Sequence, residues 1–426
     1  MWVQAVRLRS RLSGPTALDD LVLTYALPSR LAEALPATAC AALLYQLTLM
    51  DVLRAHRAGS ATVEPSRLLI LHLQNGLGNR LRVLASGLAM ARASFRVPLV
   101  VWERDAHMGA HFGQLFEEGH PTTGGVDSLF SSLVVVNRFP AWCDVATAAA
   151  ESPDAITAYN HMDKDLGGSH SQRPDVAANS EVYRRRHIYV KSAYLLSASP
   201  PLPIAAVNAE ARMLKPVAAV RQLMVKSAPA GLPKMVGVHV RSRRLARDSA
   251  AVDASCEYSV ASAAITDQWR NASQAPAFAA EMAALVAAGP STHFFVAVDD
   301  AALAAALADQ FPGRTHGLTR ACDDRGPTCM QYALVDMMCL ARTRLLLGSN
   351  WSSFTEMASR LAPSPRQVVR LSGVHFGRRR LFWKDRLAAL AGDVWRLVGR
   401  RLARPPTAAM YTGCRQRLET AGIAAA

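Results

Sequence analysis

Several features that would settle the class of this protein are missing from its sequence. No uninterrupted apolar run reaches about eighteen residues, the length that a membrane-spanning helix requires. The seven cysteines contain no CxxC pair and no spacing typical of metal ligands, which argues against a zinc-binding module. RNA-binding aromatic boxes and lysine-rich tails are also absent, so nucleic acid is not an expected partner.

Positive charge, by contrast, is in excess. The chain has 48 Lys and Arg against 33 Asp and Glu, and its formal net charge is +15. Such a balance favours anionic partners, which include nucleotide phosphates, nucleic acid and acidic membrane surfaces. Charge alone does not choose among them. Half of the residues are hydrophobic, so the chain is expected to be globular and long enough for two domains.

The compartment is left open by the sequence. The chain carries arginines and no acid before Asp19, which loosely resembles a targeting peptide. The most apolar stretch, Ala34 to Met50, is interrupted by Pro36 and polar residues, which favours a packed helix over an anchor. Cys322 and Cys329 are close enough in sequence for a small disulfide in an oxidising compartment, and two free thiols are the alternative.

Apolar runs alternate along the chain with segments of helical periodicity. The runs are continuous rather than alternating, a pattern typical of strands that are covered on both faces of a parallel sheet. We therefore predict an α/β fold. The predicted strands are Leu68–Leu73, Pro98–Trp102, Leu133–Val136, Ile188–Tyr194, Met235–Val240, His293–Val298, Leu345–Leu347 and Val368–Leu371.

The chain divides into four predicted segments. Residues 1–65 form a helical or targeting extension, 66–215 a first Rossmann-like domain, 216–377 a second one, and 378–426 a basic helix and tail. The apolar stripe of that last helix is flanked by arginines. It is expected to dock on the protein with a solvated basic face, and contact with a membrane surface is the alternative.

Polar residues follow the predicted strands of the second domain. "VGVHVRS" places His239 and Arg241 on one face at the end of a strand, where open α/β sheets bind ligands. Arg241 could bind a phosphate with two nitrogens, and His239 a sugar or another phosphate oxygen. "FFVAVDD" ends in Asp299 and Asp300, which could bind ribose hydroxyls or cap the next helix. An adjacent Asp pair lacks the D-x-D spacing of a metal–nucleotide clamp, so no metal is expected.

The segment "ALVDMMCLARTRLLLGSNWSSFTEMASRL" predicts a helix with Asp336, a short strand, a turn and a new helix. Ser353 and Glu356 have the S-x-x-E spacing of a capping box. A helix N-terminus offers free N–H groups and a positive dipole to a phosphate, and Ser352 and Ser353 add hydroxyl donors.

A glycine turn follows the first strand in "LLILHLQNGLGNRLRV". It contains Asn75, Gly76, Gly78, Asn79 and Arg80. The glycines are expected to let the backbone approach a sugar or pyrophosphate, with Asn79 and Arg80 as donors. A third glycine and the acid of a dinucleotide fingerprint are missing, which argues against NAD.

Together, "GLGNRLRVLASG", "VGVHVRS", "FFVAVDD" and "DMMCLARTRLLLGSNWSSFTEMA" resemble the fucosyltransferase superfamily, over roughly Leu68 to Leu371. The superfamily includes α-1,6-fucosyltransferases, chitin-oligosaccharide fucosyltransferases and protein O-fucosyltransferases. The resemblance implies a GT-B fold, in which two Rossmann-like domains face each other across a cleft, with acceptor on the first and GDP-fucose on the second. It also implies inverting transfer without a metal or cofactor, and favours the Golgi or endoplasmic reticulum lumen or membrane association over the cytoplasm.

The resemblance also assigns roles. Arg241 would bind the β-phosphate with His239 as its HxR partner, and Ser352 and Ser353 would bind the pyrophosphate. Asp300 and Asp336 would lie in the nucleoside and guanine part of the pocket, and the turn from Asn75 to Arg80 would face the cleft.

One position departs from the family pattern. Some members carry an acid three residues after the HxR motif, where this chain has Arg244. Inverting transfer normally requires a base for the acceptor hydroxyl. Asp248 is the candidate and Glu257 the second choice, while Arg243 and Arg244 could hold an anionic acceptor.

In the first domain, "VWERDAHMGAHFGQLFE" suggests an acceptor site. A sugar could stack on Trp102 and bind Asp105 or His107. His107 and His111 have no third partner for a metal. The predicted function is that of an inverting fucosyltransferase acting on a glycan or protein hydroxyl. The alternatives are a GDP-sugar- or glycan-binding pseudoenzyme and, less favoured, a basic protein that binds nucleic acid or a membrane surface.

Overall fold

The computed structural model describes residues 68–94, 96–117, 134–151, 156–162, 176, 187–198, 201–242, 260–318, 322, 324–363 and 367–377. The predicted N-terminal extension and basic C-terminal helix lie outside these residues. So do both candidate bases, Asp248 and Glu257, and the arginines Arg243 and Arg244.

The first unit is built on a parallel five-stranded sheet with the strand order β3-β2-β1-β5-β4. Because the strands are parallel, their carboxyl ends meet at one edge, where His72 of β1 is in register with Val101 and Lys191. The elements are β1 (Leu68–Leu73), α1 (Leu77–Ala93), β2 (Val97–Val101), β3 (Val134–Val136), α2 (Trp142–Glu151), β4 (Ile156–Asn160) and β5 (His187–Ser192).

Two helices, α3 (Ile204–Met213) and α4 (Ala218–Ser227), lead to the second unit. Its sheet is also parallel and five-stranded, with the order β10-β9-β6-β7-β8. The elements are β6 (Val236–Val240), α5 (Val260–Ala272), α6 (Ala275–Ala288), β7 (Phe294–Val298), α7 (Ala301–Gln310), β8 (Thr315–His316), α8 (Pro327–Ala341), β9 (Leu345–Gly348), α9 (Ser353–Leu361) and β10 (Val368–Leu371).

The central strands are covered on both faces. Every residue of β1 and β6 is buried, as the continuous apolar runs predict. The structure thus confirms the predicted α/β class, with two Rossmann-like units.

The two units share one apolar core. Side chains of β1 and α1, such as Leu71 and Leu84, belong to the same buried cluster as Leu340 of α8 and Met357 of α9. Helix α9 packs against α1 and α3, and α8 packs against α4. Helix α1, which follows β1, and helix α9, which follows β9, are therefore in direct contact.

Charged groups reinforce this contact. Glu356 of α9 accepts hydrogen bonds from Arg82 of α1, at 3.1 Å, and from Arg360, at 2.8 Å. Burial by itself would raise the pKa of the Glu356 carboxyl, but the two arginines hold that pKa below its usual value.

A disulfide links Cys322 and Cys329, which is the first of the two alternatives that the sequence left open. Its loop reaches the first unit, because Gly109 donates its backbone N–H to the Arg325 carbonyl at 2.8 Å. Gln331 of α8 adds a hydrogen bond from its side chain to the Gln114 carbonyl at 3.0 Å. None of the helices in the described ranges is long and apolar enough to span a membrane.

Candidate functional site

Arg241 follows β6 directly and is held from two directions. Its backbone N–H donates to the Ser349 hydroxyl at 2.8 Å, and its Nη1 donates to Asp299 at 2.9 Å. Asp299 is also bonded to the backbone and the hydroxyl of Ser242. The Arg241 side chain nevertheless remains 30% exposed. Asp299, predicted as a ribose contact, serves in this structure to orient Arg241.

His239 points from β6 to the first turn of α9. Its Nδ1 lies 2.7 Å from the Thr355 hydroxyl, and its ring stacks on Phe354 with centroids 4.8 Å apart. Burial lowers the pKa of His239 to about 3, so the imidazole is neutral at physiological pH. His239 therefore fixes the first turn of α9 and contributes no positive charge to a phosphate.

Ser352 and Ser353 lie between the residues that contact Arg241 and His239. Ser349 precedes them, and Phe354 and Thr355 follow. The Arg241 backbone and the His239 side chain thus attach the β9–α9 turn to the end of β6. That Arg241 and these two serines bind one diphosphate together stays a prediction.

The predicted capping box at Ser353 and Glu356 is wrong. The N-cap of α9 is Ser352, and its side chain makes no capping hydrogen bond. With Ser352 as N-cap the N3 residue is Thr355, so Ser353 and Glu356 are out of register for a capping box. Arg82 and Arg360 bind the Glu356 carboxylate instead. The N-terminal end of α9 therefore has no side-chain cap, and uncapped helix N-termini are places where proteins bind anions.

The N-terminus of α1 has the same property and lies beside it. Gly76 is the N-cap of α1 and also provides no side-chain cap. Gly78, in the first turn, touches α9: a Cβ added to Gly78 would lie 2.7 Å from the Ser353 carbonyl and 2.8 Å from the Phe354 nitrogen. The expectation that this glycine approaches a sugar or pyrophosphate is corrected, because the space beside it is occupied by the backbone of the second unit.

Asn75 and Asn79 flank this contact. Asn75 adopts a left-handed conformation (φ 64°), which asparagine tolerates better than most residues. Its carbonyl accepts a hydrogen bond from Arg80 Nε at 2.7 Å. Asn79 lies in the first turn of α1 and is partly exposed, so it remains a candidate donor.

Arg80 is a structural residue, contrary to its prediction as a ligand donor. It is fully buried, and it donates to the Glu103 carbonyl and to Asp105, each at 2.6 Å. Its guanidinium also lies over the Trp102 ring, 5.1 Å from the centroid. These contacts tie the loop after β2 to the first turn of α1, and they leave no exposed surface for a ligand.

Trp102 is not available as a stacking surface for an acceptor sugar. Its side chain is fully buried, its Nε1 donates to the Ala110 carbonyl at 2.9 Å, and its ring contacts Phe112. Asp105 accepts the His107 backbone N–H at 2.7 Å in addition to Arg80. Asp105 is exposed and His107 partly so, and both remain candidates for contact with an acceptor.

The remaining predicted carboxylates differ in environment. Asp300 is the N-cap of α7 and accepts the Ala302 N–H at 2.9 Å, one of the two roles that the sequence allowed for this Asp pair. Asp336 lies within α8 and is only 3% exposed. Within the described ranges, no three His, Cys, Asp or Glu side chains are grouped as metal ligands.

Buried histidines predict an acid-sensitive fold. Burial lowers the pKa of His239 to about 3, that of His187 to about 4, and that of His72 below its usual value. Below pH about 6.5 the histidines of the unfolded chain bind protons that those of the folded chain do not. The free energy of unfolding therefore decreases as the pH is lowered, by up to about 1.4 kcal/mol per pH unit for each histidine. Urea unfolding between pH 7 and 5 should show this decline. The His187→Gln variant should show a shallower one, and pH-independent stability would contradict the prediction.

Comparison with known proteins gives matches among solved structures only. No family model and no curated protein sequence matches the chain. NodZ α-1,6-fucosyltransferase soaked with GDP-fucose is 19% identical, with 70% of this chain and 93% of that chain covered and a TM-score of 0.43. POFUT1 in complex with GDP is 14% identical, with 74% and 100% covered and a TM-score of 0.39. An Arabidopsis thaliana FUT1 mutant in complex with GDP is 14% identical, with 79% and 82% covered and a TM-score of 0.40. At these identities and scores, the chemistry of this chain has to be argued from its own residues.

Proposed function

We propose that this chain is an inverting glycosyltransferase that transfers fucose from GDP-fucose to a glycan or protein hydroxyl. The observation that carries the proposal is the convergence of two helix N-termini, those of α1 and α9, neither of which has a side-chain cap. Arg241 follows the strand that is bonded to the α9 turn, and its side chain is partly exposed. Helix N-termini and arginine are groups that bind phosphates, and the proposed anion is a diphosphate.

Catalysis would come mainly from stabilising the departing diphosphate. As the bond between the sugar and the β-phosphate breaks, negative charge builds up on the phosphate oxygens. Arg241 would neutralise part of that charge, and the N–H groups of α9 with the Ser352 and Ser353 hydroxyls would donate to the rest. Interactions that strengthen as this charge develops accelerate the chemical step itself. In this proposal protein groups supply all of this stabilisation, and no metal or cofactor is required.

Asp299 has a supporting role in this mechanism. It bonds Arg241 Nη1 and the Ser242 backbone, and its side chain is 11% exposed. Asp299 thus holds Nη1 of the guanidinium, and in this proposal the other nitrogens of the planar fork donate to a phosphate oxygen. Such orientation reduces the entropy lost when the donor binds.

The acceptor hydroxyl must lose a proton as it attacks the anomeric carbon. Asp248 remains the proposed base and Glu257 the second choice. The preference for guanine and fucose rests on the motifs that resemble the fucosyltransferase superfamily.

The nucleotide can be tested without knowing the acceptor. Thermal unfolding of the whole chain should be measured with GDP, UDP, GDP-fucose and GDP-mannose. GDP and GDP-fucose are expected to stabilise the protein by about 2.7 kcal/mol at a hundredfold excess over their dissociation constants. Equal stabilisation by UDP would contradict the preference for guanine as the nucleobase. No stabilisation by any nucleotide would overturn the proposed function.

A binding protein without transferase activity is the second candidate. It is favoured by Arg244, which occupies the place where some family members carry an acid. GDP binding in the absence of both transfer and hydrolysis of GDP-fucose would support this candidate.

A further inference from the structure

A pair of stacked indoles lies at the N-terminal end of α9. Trp351 comes directly before the N-cap Ser352, and its ring stacks on that of Trp269 from α5, with centroids 6.0 Å apart and an interplanar angle of 17°. Trp269 is buried, whereas Trp351 is 46% exposed. Of the large hydrophobic side chains that are exposed in the described ranges, Trp351 is the aromatic one.

The backbone holds Trp351 in an uncommon conformation. Its φ of 55° is in the left-handed region, where a bulky residue is rarely found. The Trp351 N–H donates to Asn350 Oδ1 at 2.9 Å, and the Asn350 N–H donates to the Ser372 hydroxyl at 3.2 Å. Ser372 in turn shares a buried 2.7 Å hydrogen bond with Ser273, at the end of α5. A specific network therefore keeps this indole at the surface.

The indole pair is connected to the proposed charge-stabilising group. Arg270, the residue after Trp269, donates from Nη1 to the Arg241 carbonyl at 3.1 Å. Gln274, just beyond α5, donates to the Ser242 carbonyl at 3.0 Å. Trp351 thus directly precedes Ser352 of the proposed diphosphate site in the sequence. Its ring packs on α5, the helix that contacts Arg241.

We propose that Trp351 is a stacking platform for a sugar ring of the acceptor. The inference rests on the proposed function. The C–H face of a pyranose ring packs well on an indole, and the hydroxyls around the ring edge stay hydrated or bind polar neighbours. The acceptor must approach from solvent to meet the donor sugar beside the diphosphate, and Trp351 offers an aromatic surface at that place. The structure excludes Trp102 from this role, because Trp102 is fully buried.

The test uses the whole chain with saturating GDP and an N-acetylglucosamine tetramer as the probe. Saturation-transfer NMR and fluorescence titration give its binding and dissociation constant. We expect Trp351→Ala and Trp351→Leu to weaken tetramer binding about tenfold, because both lose the flat aromatic face. Trp351→Tyr keeps an aromatic face and should stay within about threefold of the wild type. All three variants should bind GDP within about twofold of the wild type, and circular dichroism should show that they are folded.

Four results would overturn the inference. Tetramer binding that is unchanged in Trp351→Ala and Trp351→Leu would remove the platform. A tenfold loss of GDP affinity in these variants would make Trp351 a nucleobase contact instead. A wild-type protein that binds GDP but not the tetramer would also contradict the inference while leaving the proposed function intact. Failure of the wild type to bind GDP would defeat the proposed function, and the inference with it.

Discussion

Replacing Arg241 by alanine is expected to slow sugar transfer by about a hundredfold to a thousandfold while the protein remains folded. The side chain is partly exposed at a strand end, so its loss opens no cavity in the core. It does remove the positive charge that is proposed to bind the leaving group, and it removes one of the hydrogen bonds to Asp299, which keeps those from Ser242. GDP release from GDP-fucose, measured with a competent acceptor, gives the rate.

Two further variants make the Arg241 test specific. Arg241→Lys keeps the charge but loses the planar donor pair, and it should recover only part of the activity. Arg221→Ala removes another arginine that is paired with a carboxylate, Glu117, on the exposed surface of α4. The Arg221 variant should transfer sugar at the wild-type rate. Wild-type activity in Arg241→Ala would contradict the mechanism.

The second large effect is expected from a single methyl group at Gly78. In Gly78→Ala the new Cβ would lie 2.7 Å from the backbone of Ser353, closer than non-bonded carbon atoms approach. Helices α1 and α9 would have to separate, since no flexible side chain can move aside. Overpacking of this kind costs about 1–3 kcal/mol, and it would displace one wall of the proposed diphosphate site. We expect GDP affinity to fall at least about tenfold, as measured by calorimetry.

Gly76→Ala provides the matched control two residues away. A Cβ at Gly76 would meet only the His107 carbonyl oxygen, at 4.0 Å, which is an ordinary contact distance. The backbone at Gly76 is also in a region open to alanine (φ −72°). The control should bind GDP and unfold in urea like the wild type. If both variants bound GDP equally well, the contact between α1 and α9 would have no part in the site.

The strands could be predicted where the sequence has a clear apolar run. The eight predicted strands all occur, with ends within one or two residues, because their sequences are rich in apolar residues, which in the central strands β1 and β6 are buried on both faces. Strand β4, with the sequence ITAYN, escaped prediction because Thr157 and Asn160 interrupt its apolar character. Strand β8 consists of two polar residues and carries no such signal.

The site was predictable to the extent that it lies at strand ends. Position alone indicated that Arg241 and the serines of the α9 turn belong together. The partner of each side chain was not predictable, because those partners are remote in sequence. Arg82 binds Glu356 across 274 positions of the sequence, a contact that no local pattern predicts. Trp102 looked like a surface aromatic because nothing local reveals that Arg80 and Phe112 cover it.

The shared wall between α1 and α9 also limits how this architecture can be recombined. A chimera could exchange one unit for that of a relative in order to change the nucleotide or the acceptor. It would bring together a first turn of α1 and an N-terminal end of α9 from different proteins, whose backbones need not fit. We expect an exchange to succeed only when the segment around Gly78 and the N-terminal end of α9 come from the same protein. The two units are therefore not interchangeable modules.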